Sequence, residues 1–326
     1  MPQIDGQEVG PIAYGLMGFT WRPHPLPQEQ INDAMKAALA NGMNFWNGGD
    51  FYGPPENNSL AILEKYFEKY PEDADKVVLS VKGAVGPNLA PDGSAEGINR
   101  SIGTIIKQLN GRKKLDVFEC ARRDPKVPME VTFAAMQEWI DKGLLGSISL
   151  SEVSASTIHA AVKLTKVSFV EVELSLWCTD ILTNGVAAAC AQYNIPLVAY
   201  SPLGHGILTG AFKSVDDLAG THLKDWPRFS PENFEINLQL VRQIEALAQK
   251  KGCTPAQLAI SWTRNLSKRP GMPTIIPLPG ATTVARVNEN AVHVDLSDEE
   301  MDEIDATLAK FEVKGDRYPA SVTINT

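Results

Sequence analysis

Two short segments carry the residues best suited to chemistry. Asn44-Phe-Trp-Asn-Gly-Gly-Asp-Phe-Tyr-Gly53 and Leu79-Ser-Val-Lys-Gly83 are apolar runs that each end in polar side chains. A phenol beside an ammonium is a sound proton donor, because the cation stabilises the phenolate left behind. Tyr52 and Lys82 meet that description if their strands share one pocket. Strand alternation enlarges the set. An inward Lys82 brings Ser80 and Val78 with it. The same rule groups Val117, Glu119 and Ala121 on one later run, and Glu171 with Glu173 on another. An unpaired buried charge is costly, so an inward ammonium calls for inward partners.

Such side chains need strands that end at a common face. Apolar, β-rich runs at 12–17, 43–47, 77–82, 115–120, 147–151, 169–173, 196–200 and 274–278 alternate with helical periods at 28–40, 57–69, 98–109, 131–142, 155–163, 182–193, 235–250 and 284–292. Eight strand–helix units predict an α/β chain closed as a (β/α)8 TIM barrel, one domain over residues 1–326. The strands are nearly continuous in apolar character, as expected when helices cover a parallel sheet. Two extra helices are expected, because Thr254-Pro-Ala-Gln257 and Ser297-Asp-Glu-Glu300 both spell capping boxes. Residues 204–234 are too long for an ordinary connection and read as a lid or binding loop. A doubly wound sheet would carry a glycine-rich turn straight into its first helix. Here Gly15-Leu-Met-Gly18 runs into Phe19-Thr-Trp-Arg-Pro-His-Pro, which cannot open a helix tightly. In a barrel, charges at the C-terminal strand ends mark the reactive mouth.

The bulk properties exclude several classes of function. With 21% charged and 44% hydrophobic residues and a net charge of -9, nucleic acid is not the expected partner. No apolar run approaches the roughly 20 residues that span a bilayer. The N-terminus has no basic stretch followed by an apolar core, so a cytoplasmic protein is expected. Cys120, Cys178, Cys190 and Cys253 form no C-x-x-C pair, and the five histidines lack metal spacing, so no metal is expected.

Several motifs, in order along nearly the whole chain, resemble the aldo-keto reductases. They are the Asn44–Gly53 run, Val81-Lys82, Gly146-Ser-Ile-Ser-Leu-Ser-Glu152, Val198-Ala-Tyr-Ser-Pro-Leu-Gly204, Phe229-Ser-Pro-Glu-Asn-Phe234, Thr254-Pro-Ala-Gln-Leu-Ala259 and Ile276-Pro-Leu-Pro-Gly-Ala-Thr282. The resemblance implies reduction of a small carbonyl compound by hydride from NADPH, with Tyr52 as proton donor and Lys82 as its supporting cation. Within the family, Asp116-Val-Phe-Glu-Cys-Ala-Arg-Arg-Asp124 and Gly15-Leu-Met-Gly-Phe-Thr-Trp-Arg-Pro23 look like the pyridoxal reductase branch, which implies pyridoxal as substrate. The chain departs from the family pattern at two positions. Asn47 stands where an Asp is usual, and Ala121 where a His is usual. Glu119 or Asp50 is expected to supply the missing counter-charge, and Arg122 or Arg123 to reach into the vacated space.

The resemblance also implies a cofactor groove. Ser151 and Glu171 stand where relatives grip the nicotinamide carboxamide, with Glu171 in place of the usual Gln, and Tyr200 where an aromatic stacks on the ring. Ser201, Leu203 and Gly206 correspond to a pyrophosphate groove. Gly280, Thr282 and Arg286 correspond to an adenosine-phosphate clamp, with Glu289 and Asn290 towards adenine. A guanidinium fork at Arg286 suits a 2′-phosphate. Trp21, Phe51 and Trp177 either line the substrate mouth or pack the barrel rim. Two other readings remain at this level. One is a cofactor-binding regulatory subunit similar to potassium-channel β subunits. The other is a barrel lyase or isomerase with Lys82 as a Schiff-base amine.

Overall fold

Asp5 and Gly6 open the fold with a tight turn, both at positive φ (50° and 80°). They join β1 (Gln3–Ile4) to antiparallel β2 (Gln7–Glu8). An Asp-Gly pair is well suited to a two-residue hairpin. The hairpin closes the N-terminal end of the barrel. Ile4 and Val9 are fully buried and share one cluster with Phe45, Val78, Val117, Phe169, Val198 and Ile276, the inner layers of the sheet. The computed structural model describes residues 1–219, 221–322, 324 and 326.

Eight parallel strands follow in sequential order: β3 (Tyr14–Gly15), β4 (Phe45–Gly49), β5 (Val78–Gly83), β6 (Leu115–Cys120), β7 (Leu145–Ser151), β8 (Val167–Glu173), β9 (Leu197–Tyr200) and β10 (Ile275–Leu278). The barrel closes through β3 and β10, where Ala13 N–H donates to Pro277 O at 2.9 Å and Gly15 N–H to Pro279 O at 3.0 Å. The (β/α)8 architecture expected from the sequence is the one observed. Register decides which strand ends are neighbours: Gly49 lies opposite Lys82, Lys82 opposite Glu119, and Ser151 opposite Glu171.

The helices are α1 (Met17–Thr20), α2 (Gln28–Ala40), α3 (Ser59–Lys69), α4 (Ala95–Leu109), α5 (Met129–Asp141), α6 (Ala155–Ala161), α7 (Val186–Gln192), α8 (Pro231–Lys251), α9 (Pro255–Asn265), α10 (Val284–Ala291) and α11 (Asp298–Leu308). Both capping boxes form, at Thr254 and Ser297. Each such cap contributes about 1 kcal/mol. Two expectations are corrected. The first strand covers two residues rather than 12–17, because Leu16 already turns into α1. The extra helix between β9 and β10 is α8, not the one opened by Thr254. α9 packs directly on β10 and buries Leu258, Ala259, Ile260, Ser261, Trp262 and Thr263, while α8 lies outside it. The long loop after β9 is a chain of four short 3-10 turns.

Candidate active site

Five strands deliver one buried polar cluster at the C-terminal end of the barrel. The ammonium of Lys82 (β5) lies 2.5 Å from Glu171 (β8) and 3.3 Å from Glu119 (β6), and donates to Asn47 Oδ1 (β4) at 2.6 Å. Asn47 Nδ2 donates to Glu119 at 2.9 Å and to Glu171 at 2.8 Å. The hydroxyls of Ser80 and Ser149 reach Glu119 at 3.4 and 3.2 Å. Burial opposes the charge on Lys82, but the two carboxylates overcome it and hold its pKa above the ordinary value. The Glu171 carboxyl is pushed up to about 8, first by burial and also by Glu119 beside it, against the pull of Lys82. Asp50 turns elsewhere. It accepts from the Ser101 hydroxyl at 2.5 Å, and burial lifts its pKa to about 6.

Tyr52 sits half-buried over Gly49, the residue opposite Lys82 in the sheet. A Cβ at Gly49 would come within 2.9–3.0 Å of the ring carbons, so the missing side chain is what lets the ring settle there. Burial raises the phenol's pKa, Lys82 and Arg122 pull it back, and Glu171 and Glu119 add to the rise. Phe51 and Trp21 wall the ring, with centroids 4.8 and 5.4 Å from that of Tyr52. Trp177 is not part of this wall. It is buried against Phe229 beneath the long loop.

Ala121 is buried, and Arg122 next to it directs its charge into the mouth, where it acts on Tyr200, Tyr318 and Tyr52. Its guanidinium lies 5.9 Å from the ring centre of Tyr318, and Nη1 donates to Ala121 O at 2.6 Å. Arg123 points the other way. With Cys120, Met129, Phe133 and Met136 it lines a cavity of about 30 Å³.

A second buried charge cluster joins the rim to the C-terminal segment. Arg317 lies 2.5 Å from Glu152 and 3.2 Å from Glu173, and His205 Nε2 lies 3.3 Å from Glu173. Tyr200 donates to Glu152 at 2.9 Å, and its oxygen lies 2.8 Å from that of Tyr318. Burial works against ionisation of Glu173, but His205, Arg317 and Arg228 win and hold its pKa below the ordinary value. Sequence reasoning paired Glu173 with Glu171 but gave it no role, and it missed Glu152, His205, Arg317 and Tyr318 altogether. For Glu152 a signal existed, since it follows Ser151 at a strand end. The sequence around Arg317 and Tyr318 shows no periodicity that could reveal their return to the mouth.

The residues expected to hold a dinucleotide occupy neighbouring rims. Ser151 Oγ is buried and has no hydrogen-bond partner among the described residues, which suits an incoming polar group. Glu171 already engages Lys82 and Asn47 with its two oxygens. Ser201, Gly204, His205 and Gly206 all take positive φ, an irregular run just beyond β9 that includes Leu203. Within it Gly204 N–H donates to Ser201 O at 2.9 Å and Gly206 N–H to Leu203 O at 3.0 Å. Gly280 bridges to Gly15, Thr282 O accepts from Gln30 at 2.9 Å, Asn290 is buried, and Arg286 pairs with Glu289 at 3.1 Å while half exposed.

Comparison with known proteins adds an independent line. The model of the aldo/keto reductase family matches residues 11–309. The protein named "Probable pyridoxal reductase 2" of Schizosaccharomyces pombe is 43% identical over 328 residues, covering 98% of this chain and 97% of that one. Among solved structures, the glycerol dehydrogenase AKR11B4 from Gluconobacter oxydans superimposes with a TM-score of 0.79 at 21% identity, covering 99% of this chain and 98% of that one. The thermostable aldo-keto reductase Tm1743 does so with a TM-score of 0.73 at 21% identity, covering 94% and 98%.

Proposed function

The chain belongs to the aldo/keto reductase family, and on that footing we propose that it reduces pyridoxal to pyridoxine with NADPH. The observation that carries the reading is the buried Lys82 cluster beneath Tyr52. The substrate rests on the 43% identity to a protein named for that activity and on the aromatic corner that Trp21 and Phe51 form, with their rings nearly perpendicular. Ser151, Tyr200, Ser201, Leu203, Gly206, Gly280, Thr282, Arg286, Glu289 and Asn290 would hold the cofactor, and Arg286 would meet its 2′-phosphate. When bound, the cofactor supplies the hydride to the aldehyde carbon.

The chain's own residues manage the proton. Negative charge develops on the carbonyl oxygen, and Tyr52 donates its phenolic proton there. Lys82, kept charged by Glu119 and Glu171, stabilises the phenolate that remains. Arg122 offers a positive field where Ala121 leaves the wall without a polar group. Trp21 and Phe51 keep water from the reacting face. Pyridoxal brings its own ring hydroxyl beside the aldehyde and so needs less polarisation from the wall.

The test is steady-state oxidation of NADPH and of NADH with pyridoxal, nitrobenzaldehyde and methylglyoxal. Pyridoxal with NADPH is expected to give the highest kcat/KM. Tyr52→Phe is expected to lower kcat by about 10²–10⁴-fold, the usual worth of a positioned general acid, while NADPH still binds. Turnover retained in that variant would remove Tyr52 from the reaction.

A further inference from the structure

Lys82 is one cation shared by two carboxylates. Glu119 and Glu171 are 0% and 1% exposed, and both lie within 3.3 Å of its nitrogen. Every other close donor is neutral. Asn47 from β4 gives one amide hydrogen to each carboxylate, and Ser80 from β5 and Ser149 from β7 give hydroxyls to Glu119. Glu119 adds to the rise that burial gives the Glu171 carboxyl. Beyond them, the ring of Tyr52 lies over Gly49, the residue opposite Lys82 in the sheet, and the charges of Lys82 and Arg122 both act on its phenol. With both carboxylates ionised, the pocket would bury an excess negative charge. Two carboxylates this close do not both ionise readily, and one of them keeps a proton.

Building on the reduction proposed above, we infer that Glu119 and Glu171 share one proton at neutral pH and return it, through Lys82, to Tyr52 after each turnover. The transfers balance. Tyr52 loses its O–H proton to the product oxygen and keeps the electron pair as phenolate. A Lys82 N–H bond breaks as the phenol O–H bond forms. The shared carboxyl proton restores the ammonium, and a proton from water refills the pair. No electrons move in these transfers. Glu119 and Glu171 act only through Lys82, so they are positioning residues. Asn47 fits the arrangement, because its amide donates to both carboxylates while its oxygen accepts from the ammonium.

Infrared difference spectra of the cofactor-free protein, taken from about pH 5 to about pH 10, read the proton directly. The wild type is expected to lose a protonated-carboxyl stretch with a midpoint near 8, and Glu171→Gln and Glu119→Gln to lack it. Asp50, pushed up to about 6 by burial, titrates separately and should remain in both variants as a sign that they are folded. A second readout is kcat against pH. The wild type should fall about tenfold per pH unit above that midpoint, and Glu171→Gln should stay flat through the same range. Absence of the band at neutral pH, its persistence in both variants, or an unchanged alkaline limb in Glu171→Gln overturns the inference. If the band behaves as expected while the wild type oxidises NADPH with none of the aldehydes, the reduction reading fails and the shared proton stands; if Tyr52→Phe keeps its turnover, the return of the proton to Tyr52 is overturned.

Discussion

Glu171 and Glu173 are two residues apart on one face of β8, and each is 1% exposed. Their carboxyls nevertheless move in opposite directions, Glu171 up to about 8 and Glu173 below the ordinary glutamate value. Burial is common to both and would raise both. The difference lies in the cations available. Glu171 divides one ammonium with Glu119, whereas Glu173 has His205, Arg317 and the field of Arg228. The two clusters also differ in how they are built. The Lys82 cluster hangs on five barrel strands whose register fixes every member. The Arg317 cluster is gathered from two strand ends, the long loop and the C-terminal segment. Burial alone does not set a carboxyl's state in this mouth; the positive charge placed around it does.

Removing the cation of the second cluster should have the largest effect. Arg317→Met would leave Glu152 and Glu173 buried without their guanidinium. Breaking such a pair by removing one partner costs about 3–5 kcal/mol. Urea unfolding should register a loss of that size, and a loss below about 1 kcal/mol would mean that solvent or His205 compensates the carboxylates.

The opposite shifts on β8 predict opposite dependences on pH. Glu171 has a folded pKa above its unfolded one, so its contribution to stability is fully present below the ordinary glutamate value and is lost as pH rises through about 8. Glu173 has a folded pKa below its unfolded one, so its contribution is present above the ordinary value and is lost as pH falls through the folded one. Thermal midpoints recorded against pH should therefore flatten between the ordinary glutamate value and about 8 in Glu171→Gln, and below the ordinary glutamate value in Glu173→Gln. The slope removed in each case is at most about 1.4 kcal/mol per pH unit. Variants that flatten the same side would break the comparison.

The first cluster was largely legible in the sequence and the second was not. Alternation along β5, β6 and β8 groups Lys82 with Ser80, Glu119 with Ala121 and Glu171 with Glu173, because a barrel strand has only two faces. The choice between Glu119 and Asp50 as counter-charge was not legible. It depends on the loop after β4 turning Asp50 towards Ser101. Glu171 was read for the cofactor side, since spacing could not reveal that Lys82 would draw it inward. Arg317 meets Glu152 from 165 residues away in sequence, and no local pattern encodes that contact. The exchange of roles between α8 and α9 is likewise tertiary, since both are amphipathic and only packing decides which one the barrel buries. Asp5-Gly6 was a legible turn signal that passed unread because the strands beside it are only two residues long.

The central claim is that the negative charges supporting Lys82 stand on β6 and β8, with Asn47 as the neutral bridge between them. Asn47→Asp tests it most directly, through kcat for NADPH-dependent pyridoxal reduction. The substitution puts a third carboxylate around one ammonium and removes both amide hydrogen bonds. The expected result is a fall in kcat of about tenfold or more, with recovery when Glu171→Gln is added. A rise in kcat with Asn47→Asp alone would contradict the account, because it would show that Lys82 still lacked an acid at that position.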